Sequence, residues 1–207
     1  MKVNDLSIRH QEEGFLIVDK PTGLLSQPGR GPDLYDSVLT RIRSSYPWAE
    51  LVHRLDRDTS GLLILALHPD IHRILSQAFA DRHVEKKYIG LTEGRIEGSH
   101  GAISGALARI STQPPRYGIH SEGRSALTLW RKIAHEGDKT RIELTPVTGR
   151  SHQLRAHLQC LGHPLIGDPI YGRPFPEGVR LHLHAERLTF PHPVTGQSMR
   201  LEAPCPF

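Results

Sequence analysis

Leu62-Leu63-Ile64-Leu65-Ala66-Leu67 is an unbroken apolar run that Gly61 precedes and His68-Pro69 closes. A run of this length without polar alternation reads as a buried strand, and any fold for the chain has to be built around it. Ahead of it stands the loop His53-Arg54-Leu55-Asp56-Arg57-Asp58-Thr59-Ser60-Gly61. This loop sets the Asp56 carboxylate, between two arginines, at the N-terminal lip of that strand.

The rest of the chain supplies partners for the strand. Phe15 to Val18 predicts another buried strand, stopped by the turn residues of Asp19-Lys20-Pro21-Thr22-Gly23. Leu34, Val38, Leu39 and Ile42 recur at near-helical spacing, with Asp33 as the expected N-cap and Pro47 as the stop. Ile71, Ile74, Leu75, Ala78 and Phe79 form one apolar stripe and predict a helix from about Pro69 to Arg82. Strands are expected at Lys86 to Leu91, at Ser125 to Ile133 and at Thr140 to Val147, the last two as a hairpin turning at His135 to Lys139. Gly94 to Gly123 shows little periodicity and reads as short strands and mobile loops. A short helix is expected over Ser151 to Leu161, capped by Ser151 and stopped by Gly162. A final strand over Leu181 to Phe190 and an edge at Met199 to Leu201 complete the reading. Strands outnumber helices and are joined mostly by short turns, so the expected class is α+β with a mixed, largely antiparallel sheet. No glycine-rich phosphate loop follows a strand, which removes the commonest nucleotide-binding folds.

The 207 residues suffice for one large domain or two lobes sharing a sheet. Apolar runs fall far short of a membrane span, and Met1 to Asn4 leads into charged residues rather than a secretory signal, so a cytoplasmic location without membrane contact is expected. Cys160 and Cys205 are far apart and are expected to be reduced thiols. A net charge of +4 with neutral histidines suits a polyanionic partner without requiring one. Placement adds weight, because Arg54, Arg57, Lys86, Lys87, Arg150 and Arg155 all fall beside the residues that carry the candidate chemistry.

Among those, Asp56 comes first, since flanking guanidinium groups keep a partly desolvated carboxylate ionised and fit to act as base or nucleophile. Arg155 follows, because a guanidinium can hold a carboxylate by two parallel hydrogen bonds and orient it. Tyr88, after two lysines on a strand, offers a ring to stack on a base and a phenol to bond it. Each has a bland alternative: a turn aspartate paired locally, a solvent-facing helix cation, a core aromatic. Fourteen histidines raise a metal reading, with His182 and His184, or His152 and His157, as the nearest pairs. No Cys or Glu nearby completes a metal signature, so no metal is expected.

Taken together, the motifs resemble the RluA family of pseudouridine synthases. Four segments in order carry the likeness: Asp19-Lys20-Pro21-Thr22-Gly23-Leu24, His53 to Gly61, Lys86-Lys87-Tyr88-Ile89, and Thr148-Gly149-Arg150-Ser151-His152-Gln153-Leu154-Arg155-Ala156-His157. Gly123 to Thr128 and Gly162 to Gly172 agree as well. The resemblance implies the pseudouridine synthase fold, with helices and loops flanking the sheet around a central RNA-binding cleft. It implies a single catalytic domain over residues 1–207, without the S4 RNA-binding domain of larger members.

The resemblance also assigns roles. It makes Asp56 the catalytic aspartate, Arg155 its ion-pair partner, Tyr88 the active-site tyrosine and Leu154 an apolar wall against the target base. Arg54 is similar to the arginine that enters the stack vacated by a flipped uridine, and His53, Arg57, Thr59, Arg150 and His152 are expected at the substrate. The implied reaction turns uridine into pseudouridine in a stem-loop of ribosomal or transfer RNA, with no cofactor and no obligatory protein partner, in a monomer. Two further readings compete: a non-catalytic RNA-binding protein on the same fold, and a metal-dependent hydrolase built on the histidines.

Overall fold

A computed structural model describes residues 2, 3 and 5–207, with side chains from Asp5 onward. Met1 and Asn4, in the segment expected to lead into charged residues rather than a secretory signal, lie outside the described residues. In chain order, β1 (Lys2–Val3), β2 (Leu6–Gln11) and β3 (Phe15–Lys20) precede a 3-10 turn (Pro32–Leu34), α1 (Val38–Arg43), β4 (Glu50–Leu51), β5 (Ser60–Ala66) and α2 (Pro69–Ala80). Then come β6 (Glu85–Glu93), β7 (His100–Thr112), β8 (Pro115–Ile119), β9 (Arg124–Glu136), β10 (Lys139–Pro146), α3 (Gln153–Cys160), β11 (Leu183–Pro191) and β12 (Ser198–Glu202). The chain forms two compact units, residues 1–86 with 185–206 and residues 87–184 with 207, the division falling inside β6 and β11.

In the first unit the strands lie in the order β1-β2-β3-β5-β11-β12, with β4 also on β5. β5 pairs antiparallel with β3, from Phe15 opposite Ala66 to Lys20 opposite Gly61. Every residue of β5 is buried, as its apolar composition demands. Leu62 and Ile64 face a core of Phe15, Ile17, Leu188, Phe190 and the α2 residues Leu75 and Ala78, while Leu63 and Leu65 are fully buried on the other face. Each such side chain contributes about 2 kcal/mol, which makes this strand the anchor of the unit. α2 ends at Ala80, short of the predicted Arg82. Arg82 turns left-handed (φ 62°), and the N–H groups of Arg82 and His83 donate back to the Phe79 and Ala78 carbonyls, closing the helix.

The N-cap of α1 is Ser37, not Asp33. The Ser37 hydroxyl accepts from the Thr40 N–H (3.1 Å) while the Thr40 hydroxyl accepts from the Ser37 N–H (2.9 Å), a reciprocal pair that outcompetes a carboxylate one turn earlier. Asp33 sits in the 3-10 turn instead.

The second unit orders its strands β6-β10-β9-β7-β8, each neighbouring pair antiparallel. The predicted hairpin is β9 and β10, turning at Gly137 with φ 64°. Gly94 to Gly123 departs most from expectation: in place of short strands and mobile loops it holds the 13-residue β7 and the 5-residue β8. The alternation is hidden because glycine stands where a cross-strand side chain needs the space. A Cβ on Gly101 would lie 2.8 Å from the Trp130 indole nitrogen, and one on Gly118 would lie 2.9 Å from the Ile110 side chain. α3 packs Ala156 against Leu107, Ala126 and Tyr171. Its N-cap is His152 in a left-handed conformation (φ 52°), and the predicted cap Ser151 is exposed.

Candidate active site

Asp56 lies in the loop that joins β4 to β5, and the segment after β3 staples that loop from both sides. The Ser26 hydroxyl donates to the Leu55 carbonyl (2.7 Å) and accepts from the Leu55 N–H (3.0 Å), fixing the backbone one residue before Asp56. On the other side, the Thr59 N–H donates to the Asp56 carbonyl (3.2 Å), the Thr22 hydroxyl to the Asp58 carbonyl (2.6 Å) and Arg57 Nε to the Gly23 carbonyl (3.1 Å). The result is a half-buried carboxylate held at the start of β5. Arg57, expected beside the acid and the substrate, thus uses its Nε on the neighbouring loop. Arg54 is exposed, and Thr59 is buried as part of the turn.

Sequence reasoning gave Lys20 no task beyond a turn, yet its fully buried ammonium donates to the carbonyls of Pro21 (2.9 Å), Leu24 (2.6 Å) and Arg57 (2.8 Å). A buried charge costs several kcal/mol, and charge-assisted hydrogen bonds of about 1.5–3 kcal/mol each offset it. Lys20 therefore ties the Pro21–Leu24 turn to the Asp56 loop. The available signal was a lysine ending an otherwise apolar strand directly before Pro-Thr-Gly.

His53, expected at the substrate, makes two contacts with the scaffold. Its Nε2 accepts the Ile64 N–H (3.1 Å) and its ring stacks on Phe79 at 4.7 Å between centroids. The Lys86 ammonium stands 5.7 Å from the same Phe79 ring. Burial, with the Lys86 charge as a second cause, pushes the His53 imidazole down to about 3 from 6.5, so the folded chain holds it neutral. Burial also lowers Lys86. Between those two values an unfolded chain takes up a proton that the folded one refuses. The His53 contribution to stability is therefore full above about pH 6.5 and is lost as pH falls toward 3, at up to about 1.4 kcal/mol per pH unit. A His53→Gln protein is expected to lose that slope in equilibrium unfolding between pH 7 and 4, and an unchanged slope would assign the acid sensitivity elsewhere.

In the second unit, Tyr88 is buried on β6 opposite Leu144, and Leu154 is buried on α3. Gln153, to which the sequence motif assigned no role, organises the loop before α3. Its Oε1 accepts from the Thr148 hydroxyl (2.7 Å) and the Arg150 N–H (3.0 Å), and its Nε2 donates to the Leu127 carbonyl (3.0 Å) and the Thr128 hydroxyl (3.1 Å). Arg150 Nε donates to the Ser125 carbonyl, and His152 Nδ1 meets the Tyr171 hydroxyl at 3.1 Å. Arg155 is buried rather than a solvent-facing helix cation, and its fork grips Asp168: Nε to Oδ2 and Nη2 to Oδ1, both 2.8 Å. Asp168 is the carboxylate that sequence reasoning missed, although Asp-Pro signalled a turn there.

His157 Nδ1 pairs with the Thr128 hydroxyl (2.9 Å) while the His152 ring faces Tyr171, so these two rings serve different neighbours. Among the described residues, no three of His, Cys, Asp and Glu are grouped to hold a metal ion. Cys160 and Cys205 are free thiols, and no described helix is long and apolar enough to cross a membrane.

Comparison with known proteins agrees with the motifs. Residues 14–160 match a family model described as RNA pseudouridylate synthase. The chain is 42% identical over 206 residues to the "Dual-specificity RNA pseudouridine synthase RluA" of Pasteurella multocida (strain Pm70), covering 98% of this chain and 94% of that protein. It is 41% identical, with the same coverage, to the protein so named in Escherichia coli (strain K12). Among solved structures, "Human RNA Pseudouridylate Synthase Domain Containing 1" superposes with a TM-score of 0.83 at 32% identity, over 100% of this chain and 86% of that one.

Proposed function

The chain belongs to the RNA pseudouridylate synthase family, and from that premise we propose that it converts a uridine in a stem-loop of ribosomal or transfer RNA to pseudouridine, with Asp56 as the group that acts at the ribose. The observation that carries this reading is the Asp56 loop, fixed residue by residue by Ser26, Thr22 and Lys20. Preorganisation of this kind suits a carboxylate that must meet a sugar at a set distance. The isomerisation breaks the bond from C1′ to N1, turns the uracil while it stays bound, and forms a bond from C1′ to C5. Atoms and electrons balance without an external reactant. Two routes are open to an ionised Asp56: addition to C1′, or removal of the C2′ proton to give a glycal.

Tyr88 and Arg155, the tyrosine and arginine of the matching motifs, complete the proposed catalytic set, with Leu154 against the base. Arg54, exposed on the Asp56 loop, is the proposed side chain for the stack that the flipped uridine leaves. Flipping costs a few kcal/mol, least where a loop already presents bases unstacked, which favours a stem-loop substrate. The names of the two RluA relatives, with their dual specificity, support RNA of more than one kind as the substrate. The family match runs across both units, which supports treating residues 1–207 as one catalytic body, and we place that body in the cytoplasm as a monomer.

The test is to incubate the protein separately with unmodified ribosomal and transfer RNA and to map pseudouridines at nucleotide resolution. New pseudouridine at a loop uridine in either RNA is expected. Binding to both without any product would return the chain to the non-catalytic reading.

A further inference from the structure

In the second unit, the turn Asp168-Pro169-Ile170-Tyr171 grips the first turn of α3 at two places. Asp168 is 1% exposed and its carboxylate accepts four hydrogen bonds. Oδ2 takes Arg155 Nε at 2.8 Å, and Oδ1 takes Arg155 Nη2 at 2.8 Å together with the N–H groups of Ile170 (2.9 Å) and Tyr171 (3.0 Å). Tyr171 adds a second hold. Its ring lies under the Arg155 guanidinium, 5.2 Å from centroid to Cζ, and its oxygen accepts the Tyr117 N–H (2.8 Å) and meets His152 Nδ1 (3.1 Å). The turn therefore clasps α3 at its N-cap His152 and, one helical turn later, at Arg155.

A buried arginine needs a counter-charge and hydrogen bonds to its N–H groups, and neither by itself dictates one orientation. Here the two parallel bonds set the plane of the guanidinium, and the Tyr171 ring packed against it leaves it less room to move. The carboxylate cannot swing with the arginine, because two backbone N–H groups of its own turn hold it. We infer that Asp168 and Tyr171 are positioning residues for the isomerisation, fixing the Arg155 guanidinium in one orientation before RNA arrives. This rests on the proposed reading of Arg155 as a member of the catalytic set. It goes beyond that reading by naming what keeps the arginine in place.

The experiment compares single-turnover pseudouridine formation and RNA affinity for Asp168→Asn, Tyr171→Phe, Arg155→Lys and the Asp168→Asn/Arg155→Lys double variant. Asp168→Asn keeps the side-chain volume but turns an amide donor toward a donor, and a small misplacement of a reacting group can cost about a hundredfold in rate. A loss of about that size is expected with RNA affinity within about twofold of wild type. Arg155→Lys alone is expected to be slow, and the double variant no slower than the slower single, because positioning has nothing left to act on. Tyr171→Phe retains the ring under Arg155 while losing the hydroxyl, and a loss of several-fold in rate is expected.

Losses that multiply in the double variant, an affinity that falls as far as the rate, or wild-type turnover by Tyr171→Phe each overturn the inference and leave an ordinary buried ion pair. Wild-type turnover by Arg155→Lys is a distinct result: it removes the underlying reading of Arg155, and the inference with it. Should Asp168→Asn fail to fold, Tyr171→Phe and its combination with Arg155→Lys carry the same comparison.

Discussion

Asp56→Asn is expected to bind RNA as the parent does and to form no detectable pseudouridine. Asparagine has the same shape, and the bonds that hold the loop run to backbone carbonyls and N–H groups of Leu55, Asp56, Arg57 and Asp58, none of which the substitution removes. What disappears is the charge. A neutral amide neither adds to C1′ nor takes a proton from C2′, so both routes close, and a loss of about 10²–10⁴-fold or more follows from removing a general base or nucleophile. Arg54 remains exposed for RNA contact, and loss of one negative charge does not weaken attraction to a polyanion. Chromatographic nucleoside analysis of the reacted RNA, beside a gel-shift titration, separates the two effects. Turnover within tenfold of the parent would take Asp56 out of the chemistry, and joint loss of binding and activity would make its role structural.

Gly61→Ala is expected to lower the melting temperature by roughly 10 °C or more. Gly61 adopts φ +112°, outside the range of L side chains, and an added Cβ would lie 2.3 Å from the Ala185 carbonyl oxygen and 2.6 Å from the Ala185 nitrogen. The neighbour is backbone, in a strand that β5 packs beside, so no side-chain rotation relieves the overlap. Strain at such a φ alone costs about 1–3 kcal/mol, and with the clash the total should exceed about 4 kcal/mol. At about 2–4 °C per kcal/mol for a chain of this size, the shift is large in calorimetry or thermal circular dichroism. Because β5 begins directly after the Asp56 loop, turnover should also fall at temperatures where the variant is still folded. A melting point within about 2 °C of the parent would mean that the two strands move apart freely there.

Local pattern alone was enough for β5, α2 and the β9–β10 hairpin. The reason is that burial of Leu62 to Ala66, the apolar stripe of α2 and the turn at Gly137 are each written in adjacent residues. Those signals also brought Asp56 to the start of a buried strand. Motif resemblance added Tyr88 and Arg155, which spacing by itself left open between a core aromatic, a surface cation and a catalytic role.

Tertiary structure decided what depends on distant partners. Gly101 and Gly118 conceal β7 and β8 because the space they leave is filled by Trp130 and Ile110, which local pattern does not reveal. Lys20 looked like the end of a strand until three carbonyls, one of them 37 residues away, surrounded its ammonium. His53 gained the Ile64 N–H and the Phe79 ring as partners, which its own loop does not reveal. Arg155 acquired Asp168, 13 residues on, through a turn whose geometry no periodicity announces. The physical reason is the same in each case. Hydrophobic period is a property of neighbours along the chain, whereas a buried charge or a close backbone approach is satisfied by whichever group the fold brings to it, and only the folded chain selects that group.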